Sequence, residues 1–299
     1  MKFGGNMEES SVKISVGMPV YNGEPFLEKA IESILSQTFS DFELIISDNA
    51  STDRTEEICR KFESVDSRIT YIRNDINIGA ARNYQQVFQK STAKYFRWFN
   101  ADDLCEKTLH ERCFSTMEEN PDASMVYGKT ILIDDEGEII EHYDDNLHLT
   151  QESAADRFLT YLSGPGLTNA IYGLIRRSAL ENSELMGRGT FPAADIVLVA
   201  ELALRGKIIE IPSPLFFRRM HDQASSWDKG HDAQQQFWSG AAAQKFVMPT
   251  LKFEFALLRA ILRSQITFYN KLQLIKAIFC RISWWKGQIF KEFKGYIRS

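Results

Sequence analysis

At 299 residues, with 44% apolar and 25% charged side chains, the chain can bury a sizeable core and excludes a disordered or fibrous class. Its formal net charge of -5 is unevenly spread: residues 245–299 hold eleven Lys or Arg against Glu254 and Glu292, and the rest hold 24 basic against 38 acidic residues. That separation predicts a last segment with a partner of its own. Cys59, Cys105, Cys113 and Cys280 have neither metal-ligand spacing nor a paired framework, so they are expected reduced and buried in a cytosolic protein. No early segment reads as a signal peptide, and no apolar run free of charge is long enough to span a bilayer.

Residues 1–12 are polar and expected to fray. Residues 13–20 (KISVGMPV) read as a buried strand, broken at Tyr21-Asn22-Gly23. From Pro25, apolar residues recur at helical spacing through Leu35. Residues 42–47 and 69–73 read as further strands, with helices over 55–62 and from Gly79 to Phe88. A fourth strand begins at Tyr95 and runs into Asn100-Ala101-Asp102-Asp103. Strands alternating with helices at this spacing predict a parallel sheet with crossover helices. Ligands of such sheets sit beyond the carboxyl ends of the strands. Tyr21, Asp48, Arg73 and the Asp102–Asp103 pair all stand there, so the topology brings them to one crevice.

Two adjacent carboxylates repel unless a cation or a hydroxyl-rich ligand shares their site. Hard divalent cations take oxygen ligands, and nucleotide diphosphates arrive with one. The competing reading makes Asp102 or Asp103 the N-cap of a helix over 104–119.

Beyond Pro121 the pattern changes. A hairpin is expected around Asp135-Glu136-Gly137, a helix over 150–162, a strand over 171–175 and a helix start at 177–180. Phe191-Pro192-Ala193-Ala194-Asp195 leads into an amphipathic helix, followed by strands over 207–211 and 215–220. From Phe246 the chain reads as helical, with breaks near Pro249 and Gly287.

The run VKISVGMPVYNGEPFLEKAIESILSQTFSDFELIISDNASTDRT, residues 12–55, closely resembles the start of the family two nucleotide-sugar glycosyltransferases. The resemblance extends to about Phe114 and, more loosely, over 171–226; it does not cover the segment beyond Phe246. It implies an α/β GT-A fold: a Rossmann-like nucleotide half (residues 1–121), an acceptor half (122–244) and a C-terminal helical extension (245–299) on a mostly parallel sheet. It also implies a metal-dependent, inverting transfer from a nucleotide diphosphate sugar, UDP favoured, to a glycan or lipid-linked hydroxyl acceptor in cell-surface polysaccharide or lipopolysaccharide synthesis.

By that resemblance Pro19, Tyr21 and Glu24 line the base, Asp48 accepts from the base imide, Asp102 meets the ribose and Asp103 holds manganese or magnesium. Arg73 and Arg82 are weaker donor contacts, and His221, in Arg218-Arg219-Met220-His221, reaches the metal or the diphosphate. Asp195 would be the general base. Two departures stand out: the family often has an acid where this chain has Asn100, and a Glu where it has Ala194. Trp227 and Trp238 are candidates to stack on a sugar.

In the last segment, Phe268, Leu272, Ile275, Phe279, Ile282, Ile289, Phe293 and Ile297 repeat at helical spacing with basic residues mostly off that face. This fits an interfacial helix on an anionic membrane, or docking on the body or on a second subunit; nucleic acid is not expected. The expected location is the cytoplasm, peripheral on the inner face of the plasma membrane. Two rival functions remain at this level. A sugar-phosphate nucleotidyltransferase would need a Gly-rich basic loop after strand one, where only Gly23 stands. A non-catalytic nucleotide-sugar binder would explain Asn100 and Ala194 as decay.

Overall fold

The computed structural model describes residues 12–181, 183, 193–222 and 248–298, with side chains described to residue 294 in the last helix. Trp227, Trp238 and the approach at Phe191-Pro192 lie outside the described residues.

The first half runs β1 (Ile14–Val20), α1 (Glu24–Leu35), β2 (Phe42–Asp48), α2 (Thr55–Val65), β3 (Ile69–Arg73), α3 (Ala80–Lys90) and β4 (Tyr95–Trp98). These four strands are parallel neighbours in the order β3-β2-β1-β4. β5 (Leu104–Cys105), α4 (Leu109–Glu119) and the hairpin β6 (Ala123–Ile133) and β7 (Ile139–Tyr143) follow. Next come α5 (Ala154–Ser163), a 3-10 turn (Asn169–Tyr172), β8 (Leu174–Arg176), α6 (Arg177–Leu180), α7 (Ala194–Arg205) and β9 (Lys207–Arg219). The sheet continues β4-β8-β6-β9-β5, with β7 paired to β6. Three helices close the described chain: α8 (Pro249–Arg263), α9 (Phe268–Trp284) and α10 (Lys286–Arg298).

Alternation along the strands divides the core between the two faces of the sheet. Ile14, Val16, Met18 and Val20 of β1 face one cluster with Leu27 and Ile31 of α1. Phe96 and Trp98 of β4 face the other, with Phe158 of α5 and Leu198 of α7. The opposite side of β1 is small because α3 lies on it: a Cβ at Gly17 would stand 2.6 Å from Val87 Cγ2. Pro19 lacks an N–H, yet by alternation its backbone faces the β4 side, where the ladder has already ended at Gly17–Trp98.

Several expectations are corrected. Leu104–Cys105 is a strand, not a helix, because it pairs with Phe217 and Phe216 of β9; the helix starts at Leu109 after Thr108, so neither Asp102 nor Asp103 caps it. The strands expected at 207–211 and 215–220 are one, β9, which absorbs the Pro212-Ser213-Pro214 break as register shifts against β6 between Gly128 and Thr130. The strand expected at 171–175 begins three residues late because a 3-10 turn precedes it. Gly287 lies inside α10; the break is at Trp285, and a second, unforeseen break separates α8 from α9 at 264–267. Cys280 is exposed, whereas Cys59, Cys105 and Cys113 are buried.

Candidate active site

The parallel register aligns the strand ends. Val20 neighbours Asp48, and Asp48 neighbours Arg73. Asp48 is fully buried, and its Oδ1 accepts the Ser51 N–H at 2.8 Å. Its Oδ2 accepts the Tyr71 hydroxyl at 2.7 Å and lies 3.5 Å from Arg73 Nε. Burial first, then the bond to Asp48, raises the Tyr71 hydroxyl above its ordinary range, so Tyr71 stays a donor. Arg73 also meets Glu56 at 2.9 Å and donates to the Ser51 carbonyl. Tyr21 stands half exposed just beyond β1.

Three hydrogen bonds lock the loop after β1 to the loop after β2. Asn22 N–H donates to Ser51 Oγ, Gly23 N–H to Thr55 Oγ1 and Glu24 N–H to Asp53 Oδ2, each at 2.9 to 3.0 Å. Glu24 turns its carboxylate to the Arg54 N–H and guanidinium, so it ties the loop rather than facing Asp48. Arg82 is exposed in the first turn of α3 and joins none of these groups among the described residues.

Beyond β4 the chain turns through Asn100–Asp103. Asp103 is 1% exposed. Its Oδ1 accepts the Arg219 backbone N–H at 2.9 Å, and its Oδ2 accepts Asn100 Nδ2 at 3.0 Å. Asn100 in turn accepts the Tyr84 hydroxyl at 2.5 Å. A neutral amide here therefore supplies a donor to Asp103 where an acid would add a third negative charge. Burial, then the Asp102 charge, holds the Asp103 carboxyl well above its ordinary range.

Asp102 differs from its neighbour. Its side chain is 29% exposed, and Oδ2 lies 3.0 Å from His221 Nε2. The His221 ring packs on Phe26, with centroids 4.8 Å apart. Arg219 is buried and holds the turn: Nε donates to the Asp102 carbonyl, and Nη1 donates to the carbonyls of Asp134 and Asp135. So Asp102, not Asp103, is the carboxylate whose atoms reach outward, and it carries the histidine.

The donor chemistry of this turn fits a divalent cation. A carboxylate oxygen and an imidazole nitrogen converge, and behind them lies a buried acid whose burial outweighs the Arg218 charge. Among the described residues no three His, Cys, Asp or Glu side chains gather to hold a metal unaided. The remaining positions would fall to phosphate oxygens and water.

Asp195 lies in the first turn of α7, half buried, its Oδ1 accepting the Ile196 N–H at 2.9 Å. The N-cap is Ala193, so Asp195 does not fill the capping role. Burial raises its carboxyl above the ordinary range, partly offset by Arg218. Ala193 has φ 68 and Thr168 φ 57, left-handed conformations that cost non-glycine residues about 1–3 kcal/mol each. Thr168 directly precedes Asn169, and Ala193 stands two residues before Asp195.

Arg218 is more central than its sequence context suggests, and Asp145 joins the site with no local motif to announce it. Arg218 donates to Asn169 Oδ1, and its charge acts on Asp103, Asp145 and Asp195 together. Asp145 accepts the N–H groups of Asn169 and Ala170 at 3.2 and 3.1 Å, and burial pushes its carboxyl up to about 7. Among the described residues Asn169 Nδ2 is buried with no hydrogen-bond partner, which leaves a donor near Asp145 for a ligand. Tyr71 joins the site as well, and period-two alternation on β3 puts it on the face of Arg73.

A family model described as Glycosyl transferase family 2 matches residues 15–182. A glycosyltransferase of uncharacterised function from Methanocaldococcus jannaschii, MJ1057, is 33% identical over 132 residues, covering 44% of this chain and 46% of its own. The putative teichuronic acid biosynthesis glycosyltransferase TuaG of Bacillus subtilis is 30% identical over 122 residues, covering 41% and 48%. This chain thus spans about half the length of these curated relatives. The crystal structure of residues 1–349 of TarS from S. aureus matches with a TM-score of 0.64 at 15% identity, over 91% of this chain and 72% of that one. TarS is also known in complex with UDP and with UDP-GlcNAc. The likeness to TarS establishes the GT-A fold, and the chain belongs to glycosyl transferase family 2.

Proposed function

We propose that the chain is a metal-dependent, inverting glycosyltransferase that moves a sugar from a nucleotide diphosphate sugar to a hydroxyl acceptor. One observation carries this reading: the Asp102–His221 pair lies at the same sheet edge as Asp48, and beside it Arg218 acts electrostatically on both Asp103 and Asp195. Asp48, Tyr71, Arg73 and Tyr21 form the base end. Asp48, oriented by the Tyr71 hydroxyl, offers an acceptor for a base edge through its remaining lone pairs, and Tyr21 an exposed aromatic face. UDP is the favoured nucleotide, supported by the complexes of TarS. Asp102 and His221 would hold manganese or magnesium, which when bound neutralises charge on the diphosphate.

Asp195 takes the proton from the acceptor hydroxyl as that oxygen attacks the anomeric carbon. Its raised affinity for a proton suits the task, since a base must bind the proton it removes. Arg218 steadies the negative charge shared between the two halves. Attack from the face opposite the leaving group inverts the anomeric centre. A cell-surface polysaccharide is the expected product, supported by the similarity to TuaG, a putative teichuronic acid biosynthesis glycosyltransferase. The cytoplasm is the expected location. A thermal-shift screen of nucleotide sugars with manganese or magnesium tests the reading. Stabilisation by a UDP-sugar that needs the metal supports it. Equal shifts in chelator would remove the metal, and no shift with any nucleotide sugar would remove the donor class.

A further inference from the structure

Helices α8 and α9 form an antiparallel layer. Arg281 Nη2 meets Glu254 Oε1 at 3.1 Å, and Lys271 Nζ donates to the Leu262 carbonyl at 2.8 Å. These two bonds set a register in which Phe255 lies level with Phe279, and Leu262 with Leu272. The inner side of the layer packs on α7 and α5 through Ala256, Leu257, Leu274 and Ile278. The outer side is left apolar: Phe255, Leu262, Leu272 and Phe279 are all exposed, Phe268 is 76% exposed and Trp284 91%. α10 returns along the start of α8, with Thr250 Oγ1 donating to Glu292 Oε1 at 2.6 Å.

Charge decides what covers this face. Residues 248–298 hold ten Lys or Arg and two acids. Both acids are spent inside, Glu254 at 1% exposure on Arg281 and Glu292 on Thr250. Lys276, Lys286, Lys291 and Lys294 are exposed beside the aromatics. An aromatic and aliphatic face whose outward charge is wholly positive complements a surface that is apolar beneath and anionic above. No described helix is long and apolar enough to cross a membrane, so the face would lie on one.

We propose that the outer face of α8–α10 docks on an anionic phospholipid bilayer, bringing α7, which carries Asp195, against the membrane-side layer. The proposal stands on this face alone and does not depend on the transferase reading. The test is co-sedimentation of the full chain with phosphatidylcholine vesicles, with and without phosphatidylglycerol. Binding only to the anionic vesicles is expected, accompanied by a blue shift of tryptophan emission. The Phe279→Ser/Trp284→Ser and Lys276→Glu/Lys291→Glu variants should each lower the partition constant by at least about tenfold while keeping the melting temperature. These positions are exposed, so folding should survive. Equal binding to neutral vesicles, no binding to either, or wild-type binding by both variants would overturn it. So would a second copy as the occupant, seen as a dimer that Trp284→Ser converts to monomer without vesicles, or a nucleic acid that outcompetes the vesicles.

Discussion

The backbone N–H of Arg219 donates to Oδ1 of Asp103 at 2.9 Å, across 116 residues of chain. This bond, with the Arg219 guanidinium on the Asp102 carbonyl, fastens the end of β9 to the carboxylate turn after β4. It places His221, two residues on, beside Asp102. The buried acid therefore builds the site, and its more exposed neighbour offers the reaching atoms.

Substitutions at Asp103 should separate these roles. Asp103→Ala leaves the Arg219 N–H and the Asn100 amide without their acceptor, and each buried loss costs about 1–3 kcal/mol. Asp103→Asn keeps an acceptor oxygen and removes a charge that burial disfavours. Urea unfolding should find the Ala variant less stable than the Asn variant by at least about 1 kcal/mol. Equal stabilities would mean that the Arg219 bond contributes nothing.

Asp195→Asn removes the proton acceptor but keeps the shape of the first turn of α7. Turnover should fall by about 100-fold or more with nucleotide binding retained. In the wild type, activity should fall as pH drops through the raised titration of Asp195, because the protonated acid cannot act as base. An unchanged turnover number in the variant would remove Asp195 from this role.

Asp145 makes stability depend on pH. Folded, its carboxyl holds a proton up to about 7; unfolded, it releases it near 3.8. Between those values the folded state binds more protons, so stability declines as pH rises through that window. The slope from this one group is at most about 1.4 kcal/mol per pH unit. Asp145→Asn should flatten it, as read from urea midpoints across the window; an unaltered slope would place the titration elsewhere.

Tyr71→Phe takes the hydroxyl from Asp48 Oδ2, leaving a fully buried carboxylate with one donor fewer. The loss should cost about 1–3 kcal/mol and loosen the base end as well. Denaturant unfolding with and without nucleotide measures both, and wild-type values in each would show that Arg73 compensates alone.

The edge of the sheet was legible because parallel strands present their ends together: Tyr21, Asp48, Arg73 and the acidic pair follow from strand spacing alone. The difference in burial within that pair was not. The resemblance put the metal on Asp103 and the ribose on Asp102, and only the fold reveals that the 1% exposed Asp103 spends both oxygens on Arg219 and Asn100. Leu104–Cys105 read as helix because its strand pairing comes from Phe216 and Phe217, over a hundred residues away. Asp145 carries no local signal, since its partners lie in a 3-10 turn that follows a whole helix. Glu24 matched the family position, yet its carboxylate serves Arg54.

Titration of UDP into the protein, with and without manganese, tests the central claim most directly. Manganese should tighten UDP binding to the wild type. Asp102→Asn and His221→Ala should lose that gain by about 10–100-fold with unchanged melting temperatures. An Asp102→Asn variant that kept the full manganese-dependent gain would contradict the account.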